Sequence, residues 1–197
     1  MATTMQLDSV LIPQEQIATR VREMAERLRE RLGESDADGD VRIVGLLRGA
    51  IFFFVDLLRA MDHPDVAIDL MRASSYADAA HAASGNSGTD ATTSAGTVRF
   101  DERMVPGEIR GQRVVLVDDI IDTGRTLKTL HDALLEAGAR EVISVVLLDK
   151  PARREVSFGA DLVGFEIPDH FVVGYGLDCG GRFRLLPDIC IVRADEN

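Results

Sequence analysis

The stretch Val114-Val115-Leu116-Val117-Asp118-Asp119-Ile120-Ile121-Asp122-Thr123-Gly124-Arg125-Thr126 decides how this chain is read. It opens as a continuous apolar, β-branched run and closes on acids, hydroxyls and a glycine. Beyond it, residues 126–137 carry Leu127, Leu130, Leu134 and Leu135 at helical spacing, Gly138 is a helix terminator, and residues 142–148 form a second continuous apolar run. Strand, helix and strand in that order, with strands apolar on both faces, predict an α/β fold with a parallel sheet covered by helices. Ligands of such sheets sit beyond the carboxyl ends of the strands. The acids from Asp118 onward are expected there, in a loop that leaves the strand and enters the helix.

Upstream, Ile17, Val21, Met24, Ala25, Leu28 and Leu32 recur at spacings of three and four, the pattern of a helix with one buried stripe. Pro13 suits its first turn and Gly33 its end. Residues 34–40 read as a polar turn and 41–47 as a buried strand. Residues 51–61 are apolar on nearly every side, which predicts a helix packed within the protein. A further strand is expected at 66–71. Residues 73–97 then contain only Ala, Ser, Thr and Gly apart from Tyr76, Asp78, His81, Asn86 and Asp90. Almost nothing there is large enough to bury, so the segment is expected to be a long mobile loop between strands.

The 197 residues suffice for one substantial core, and a single domain over 1–197 is the expectation. No apolar run approaches the roughly 20 residues of a membrane helix, and the first residues lack the basic leader and apolar core of a secretory signal. A cytoplasmic protein is expected. Cys179 and Cys190 have no CxxC spacing and read as reduced thiols. The net charge of -11 disfavours nucleic acid as a partner, because that affinity rests on many Lys and Arg contacts to phosphates. An anionic small molecule can still bind where amides and a few cations are concentrated.

Residues 118–126 offer such a place. Unpaired amides at a helix N-terminus, with the glycine and hydroxyls of Thr123 to Thr126, suit a phosphate monoester. The adjacent carboxylates of Asp118 and Asp119 suit a pair of vicinal hydroxyls. A phosphate and a diol one loop apart describe a ribose 5-phosphate. Paired aspartates at a strand end also occur in magnesium-binding signalling domains, and Asp and Thr are common helix caps. Neither GxxxxGK[ST] nor GxGxxG is present.

VVLVDDIIDTGRT resembles the phosphoribosyl pyrophosphate signature of type I phosphoribosyltransferases, and its Ile-Ile-Asp-Thr-Gly core is most similar to the hypoxanthine-guanine branch. The resemblance runs from about residue 10 to 192 and includes LLRGA at 46–50, SSY at 74–76, IPDHFVVGYGLD at 167–178 and the following RFRLLPDI. It implies a central, mainly parallel sheet flanked by helices, a small hood from the N- and C-terminal segments, and a mobile active-site loop at about 73–97. It implies transfer of a 5-phosphoribosyl group from phosphoribosyl pyrophosphate to a 6-oxopurine, a purine-salvage reaction giving IMP or GMP and pyrophosphate.

Carried over by residue, Asp118 and Asp119 take the ribose hydroxyls, and Asp122, Thr123, Gly124, Arg125 and Thr126 take the 5-phosphate. Asp122 also faces purine N7 as proton acceptor, the catalytic role; the alternative is that it caps the helix. Lys150 donates to the exocyclic oxygen, Phe171 stacks on the base, and Val172 binds its edge through the backbone. Asp178 completes the base site and holds magnesium through water, so that Asp118, Asp119 and Asp178 are the expected metal residues. Read alone, FVVGY is a strand with a buried phenylalanine, and Lys150 a surface charge.

Arg48, Gly49 and Arg184 correspond to the pyrophosphate contacts, with Arg48 in place of the usual lysine and a non-proline cis peptide expected at the bond between Arg48 and Gly49. Ser75 and Tyr76 match the residues of the closing loop. The cofactor implied is Mg2+, and the assembly implied is a homodimer or homotetramer. Asp118 departs from the usual glutamate, the loop is longer and richer in alanine, and Gly180-Gly181 is unusual. A xanthine-preferring transferase would share residues 114–126 and differ around Lys150 and Phe171. A phosphoribosyl-binding RNA regulator would need a basic face, and a receiver domain would leave IPDHFVVGYGLD without a role.

Overall fold

The structure, a computed structural model, describes residues 5–33, 41–63, 66–72 and 109–194. The expected polar turn at 34–40 and the loop at 73–97, with Ser75 and Tyr76, lie outside the described residues.

Five parallel strands form the main sheet in the order β3-β2-β4-β5-β6: β2 is Val41–Leu47, β3 Ala67–Arg72, β4 Arg113–Ile121, β5 Glu141–Asp149 and β6 Leu162–Glu166. Val115, Val117, Ile143, Val145 and Leu147 point to one face, where α1 (Gln14–Leu32) and α2 (Ile51–Met61) cover them. Val114, Leu116, Val142 and Val146 point to the other, beneath α3 (Arg125–Glu136). Both faces are buried, so alternation vanishes from the strands, and that is why they read as continuous apolar runs. A second, antiparallel sheet joins β1 (Met5–Ile12), β8 (Ile189–Ala194) and β7 (Val172–Val173), bringing the two ends of the chain together.

The stripe of α1 is buried at all six positions read from its spacing, and Gly33 ends the helix with a left-handed φ of 74°. Two expectations need correction. Leu135 is 42% exposed, because Leu127, Leu130 and Leu134 already fill the inward face of α3 and the next residue turns outward. The helix at 51–61 is not enclosed: Phe53, Phe54, Leu57 and Met61 are buried, whereas Ile51, Phe52 and Val55 stand out from the opposite side. That side lies next to the turn carrying Tyr175, whose hydroxyl donates to Asp56 Oδ2 at 2.7 Å. Only one face of α2 meets α1 and the sheet.

The largest boundary shift falls in the deciding stretch. β4 continues through Ile121, with Ile120 opposite Leu148 and Ile121 opposite Asp149 of β5. Asp118 and Asp119 therefore belong to the strand and only 122–124 to the loop, because the apolar pair after the acids still has a ladder partner to pair with.

Leu28 is fully buried and Leu7 is 47% exposed. Leu28→Ala is expected to cost about 2–5 kcal/mol in urea unfolding, and Leu7→Ala under about 0.5 kcal/mol. Equal losses would contradict this assignment of the core.

Candidate active site

The carboxyl ends of β2, β4 and β5 meet at one edge. Within β4, the Asp119 amide donates to Asp118 Oδ1 at 2.9 Å and the Ile120 amide to Asp119 Oδ1 at 2.8 Å. The two carboxylates thus stand side by side. Burial, reinforced by the charge of Asp119, holds the Asp118 carboxyl well above the usual range. Burial also raises Asp119, opposed by hydrogen bonds from its surroundings and by the positive charge of Arg184. Across from them the chain leaves β2 at Leu47, and its turn presses Gly49 onto Asp119. A Cβ at Gly49 would lie 1.5 Å from Asp119 Oδ2, which no side chain could tolerate. The non-proline cis peptide is present but falls between Leu47 and Arg48, one bond before the expected position. Leu47 is the last residue of the β2 ladder, opposite Arg72, so the reversal toward α2 begins directly after it.

Residues 122–124 connect β4 to α3. Gly124 takes φ 81°, and the first helical bond runs from the Lys128 amide to the Gly124 carbonyl at 3.0 Å. The amides of Thr126 and Leu127 thus precede the helix's own ladder and face outward, the donor set an anion needs. Thr123 Oγ1 accepts from the Arg125 amide at 3.4 Å, and no side chain caps the Gly124 position. The capping alternative for Asp122 therefore falls away. Its carboxylate instead accepts from Arg153 Nε at 3.1 Å, while Arg154 Nη1 donates to its carbonyl at 2.6 Å. Arg154 is also paired with Asp149 at the end of β5. The Glu155 amide donates to the Thr123 carbonyl at 3.0 Å, and Glu155 pairs with Arg125 at 2.7 Å. Arg153 to Glu155 thus brace this loop from outside.

Lys150 follows β5 directly and its amide donates to the Ile121 carbonyl at 3.0 Å. The residue is only 8% exposed, and no described side chain pairs with its ammonium. Phe171, which FVVGY alone would bury, is 51% exposed, whereas Val172 is buried in β7. The turn after β7 crosses back to the β2 end. There, a Cβ at Gly176 would lie 2.0 Å from the Gly49 carbonyl oxygen, and its φ is 101°. Arg184 ties the region together, donating to the Gly176 carbonyl at 2.6 Å and pairing with Asp178 Oδ1 at 2.5 Å. The Gly181 amide donates to Asp178 Oδ2 at 2.6 Å, a reverse turn that the unusual Gly180-Gly181 pair permits.

Residues 11–179 match the phosphoribosyl transferase domain family. The chain is 39% identical over 183 residues to a hypoxanthine-guanine phosphoribosyltransferase of Aquifex aeolicus, covering 93% of each. It is also 39% identical over 181 residues to the hypoxanthine phosphoribosyltransferase of Escherichia coli, covering 91% of this chain and 92% of the other. Among solved structures, a hypoxanthine-guanine phosphoribosyltransferase of Bacillus anthracis superposes with a TM-score of 0.76 at 34% identity, over 96% of this chain and 100% of that one. A Trypanosoma cruzi hypoxanthine phosphoribosyl transferase gives 0.79 at 33% identity, over 95% and 92%. The chain belongs to the phosphoribosyltransferase family.

Within that family frame, the donors available to a metal can be judged from the geometry. No three His, Cys, Asp or Glu side chains gather into a metal cluster among the described residues. Asp118, Asp119 and Asp178 are therefore not one cage: the first two are adjacent, and Asp178 has an oxygen committed to Arg184 and another to Gly181. Two crowded carboxylates, with the rest of the shell left to water and substrate oxygens, fit Mg2+, which takes few protein ligands and retains water. Among the described residues, no helix is long and apolar enough to cross a membrane. Sequence reading missed Arg153 and Arg154. Their signal was adjacency to Lys150 in Lys-Pro-Ala-Arg-Arg-Glu, which became meaningful only once β5 was laid beside β4.

The Asp118–Asp119 geometry carries a pH prediction. The folded chain holds protons on this pair that the unfolded chain releases from about 3.8, the ordinary aspartate value, so the pair's contribution to stability is fully present below that value and is lost as pH rises through the raised values. Removing one charge should relieve that loss. Asp118→Asn is expected to melt about 2–4 °C above the parent at about pH 7.5 in metal-free buffer, with the gap closing toward about pH 4. A variant melting below the parent at the higher pH would refute the assignment.

Proposed function

We propose that the chain transfers the 5-phosphoribosyl group of phosphoribosyl pyrophosphate to hypoxanthine or guanine, releasing pyrophosphate and forming IMP or GMP. The observation that carries this reading is Lys150. The residue is 8% exposed, no described side chain pairs with its ammonium, and it stands at the end of β5 beside the loop that follows β4, so a ligand seated there meets a donor not engaged by the protein. A 6-oxopurine supplies that acceptor. Adenine presents an amino group at the same place, leaving donor against donor.

In this reading the amides at the start of α3, with Thr123 and Thr126, hold the 5-phosphate, and Asp118 and Asp119 receive the ribose hydroxyls. Phe171 offers its exposed ring to the base, and the backbone of Val172 meets the base edge. Gly49 and Arg48 lie against the pyrophosphate, with Arg184 beyond Gly176. As the purine nitrogen bonds to the anomeric carbon, the carbon–oxygen bond to pyrophosphate breaks and Asp122 takes the proton released at N7. Mg2+, when bound at Asp118 and Asp119 and at Asp178 through water, supplies positive charge to the leaving-group and ribose oxygens. Assembly as a homodimer or homotetramer and a cytoplasmic location belong to the same proposal. The first is decided by light scattering of the purified protein. The chain's charge of -11 and its enzyme relatives speak against the RNA-regulator alternative.

The deciding experiment supplies the protein with Mg2+, phosphoribosyl pyrophosphate and, separately, hypoxanthine, guanine, xanthine and adenine, and follows nucleotide formation. Product with hypoxanthine or guanine is expected; none with any purine would end the proposal, and a preference for xanthine would redirect it. Asp122→Asn is expected to lower kcat by about 10²- to 10⁴-fold with little change in phosphoribosyl pyrophosphate affinity. Unchanged turnover would remove the acceptor assignment. Lys150→Ala should shift the ratio of hypoxanthine to adenine use by about tenfold or more, and a retained ratio would count against its role.

A further inference from the structure

Asp122 has two carboxylate oxygens with different fates. Oδ1 accepts from Arg153 Nε at 3.1 Å, and no described donor reaches Oδ2. The other end of Arg153 is anchored too, with Nη1 lying 3.8 Å from Asp169 Oδ2. Asp169 belongs to the segment between β6 and Phe171, so Arg153 spans from the proposed proton acceptor to the segment that leads into the proposed base platform. The carbonyl of Asp122 is held separately by Arg154, which is itself paired with Asp149. Backbone and side chain of one residue are therefore fixed by two consecutive arginines with different anchors.

We infer that Arg153 is a positioning residue for the transfer reaction: it occupies Oδ1 of Asp122 and turns Oδ2 toward the base. This rests on the proposed role of Asp122 as acceptor. Geometry requires some such device, because Asp122 stands on a three-residue loop and has no helix-capping bond to fix its side chain. A free aspartate there would sample rotamers, and a proton acceptor must lie within hydrogen-bond reach of the proton it removes. Asp122 in turn raises the Arg153 guanidinium above its usual value. Both partners keep solvent contact, at 49% for Arg153 and 40% for Asp122, so water weakens the pair and the expected effect is modest.

The test is a double-mutant cycle read by single-turnover nucleotide formation, which isolates the chemical step from product release. Arg153→Leu is expected to slow that step about three- to fivefold and to leave the KM for phosphoribosyl pyrophosphate within about twofold. Arg153→Lys should recover part of the rate, because an ammonium restores the charge without the fixed fork. In the Asp122→Asn background, Arg153→Leu should change nothing further. An equal loss in both backgrounds would show that Arg153 acts elsewhere and overturn the inference, as would an unchanged rate. A faster Arg153→Leu enzyme would overturn it too, since Arg153 would then be blocking Asp122. If Asp122→Asn alone leaves the rate intact, the acceptor reading fails first and this inference with it, a result distinct from the others.

Discussion

Two like charges forced together at the end of a central strand set the terms for everything around them. Asp118 and Asp119 are consecutive, yet they do not diverge as strand neighbours usually do, because the Asp119 amide hydrogen-bonds to the Asp118 carboxylate and draws it back along the strand. Burial raises both, and Arg184 is the cation that bears on Asp119. Such a pair is tolerable in a folded protein only if the site is built to receive something that neutralises it. The neighbouring backbone leaves little other room: Gly49 abuts Asp119, and Gly176 abuts Gly49. Three segments distant in sequence are packed in series, so the turn after β2 cannot move without the turn after β7. The Tyr175 bond to Asp56 ties that second turn to α2, closing the loop of dependence.

The parallel sheet makes this convergence possible. In-register parallel strands end on the same edge, so Leu47, Ile121 and Asp149 are delivered to one place by β2, β4 and β5. Each strand then supplies a turn with a different chemistry: close-packed backbone after β2, open helix amides after β4, a lysine without a described side-chain partner after β5. The small sheet carries the exposed Phe171 ring just before β7, where the Phe171 carbonyl accepts from the Val192 amide of β8. Its strands come from both ends of the chain, and Val172, Leu177 and Ile189 share the core that packs α1 and α2. The small sheet is thereby fixed relative to the main one by apolar packing as well as by Tyr175.

Much of this was legible because burial leaves periodic marks. The stripe of α1 and the apolar runs of β2, β4 and β5 follow from which faces lose water, and those faces are fixed by local spacing. The end of β4 was not legible, since two aspartates look like the start of a loop, and only the pairing of Ile120 and Ile121 with β5 shows that the ladder continues. The exposed side of α2 was likewise hidden, because a helix apolar all round says nothing about which side its neighbours leave bare. Of the proposed site, the β4-to-α3 segment pointed to a phosphate through residue type and position alone. Lys150 and Phe171 did not, as a lysine after a strand and a phenylalanine within FVVGY each have an ordinary reading. The roles proposed for them came from resemblance, and burial of the one with exposure of the other is what spacing could not reveal.

The distribution of cations explains how a chain of net charge -11 can serve an anionic substrate. Around the site most guanidinium groups are spent on the protein itself: Arg184 on Asp178 and Gly176, Arg154 on Asp149 and Asp122, Arg153 on Asp122, Arg125 on Glu155. Those arginines hold loops in place. Lys150 and Arg48 differ, for neither side chain has a described hydrogen bond or ion pair, and the one residue is largely buried and the other exposed in the turn after β2. A cation paired within the protein offers a ligand little net charge, whereas an unpaired one offers all of it, which leaves these two and the neutral amides of α3 as groups open to an anion at this edge. The surrounding acidity then works as a filter. It repels polyanions that would spread over the surface, and it leaves attractive ground only where backbone N–H groups and the two free cations face the same edge of the sheet.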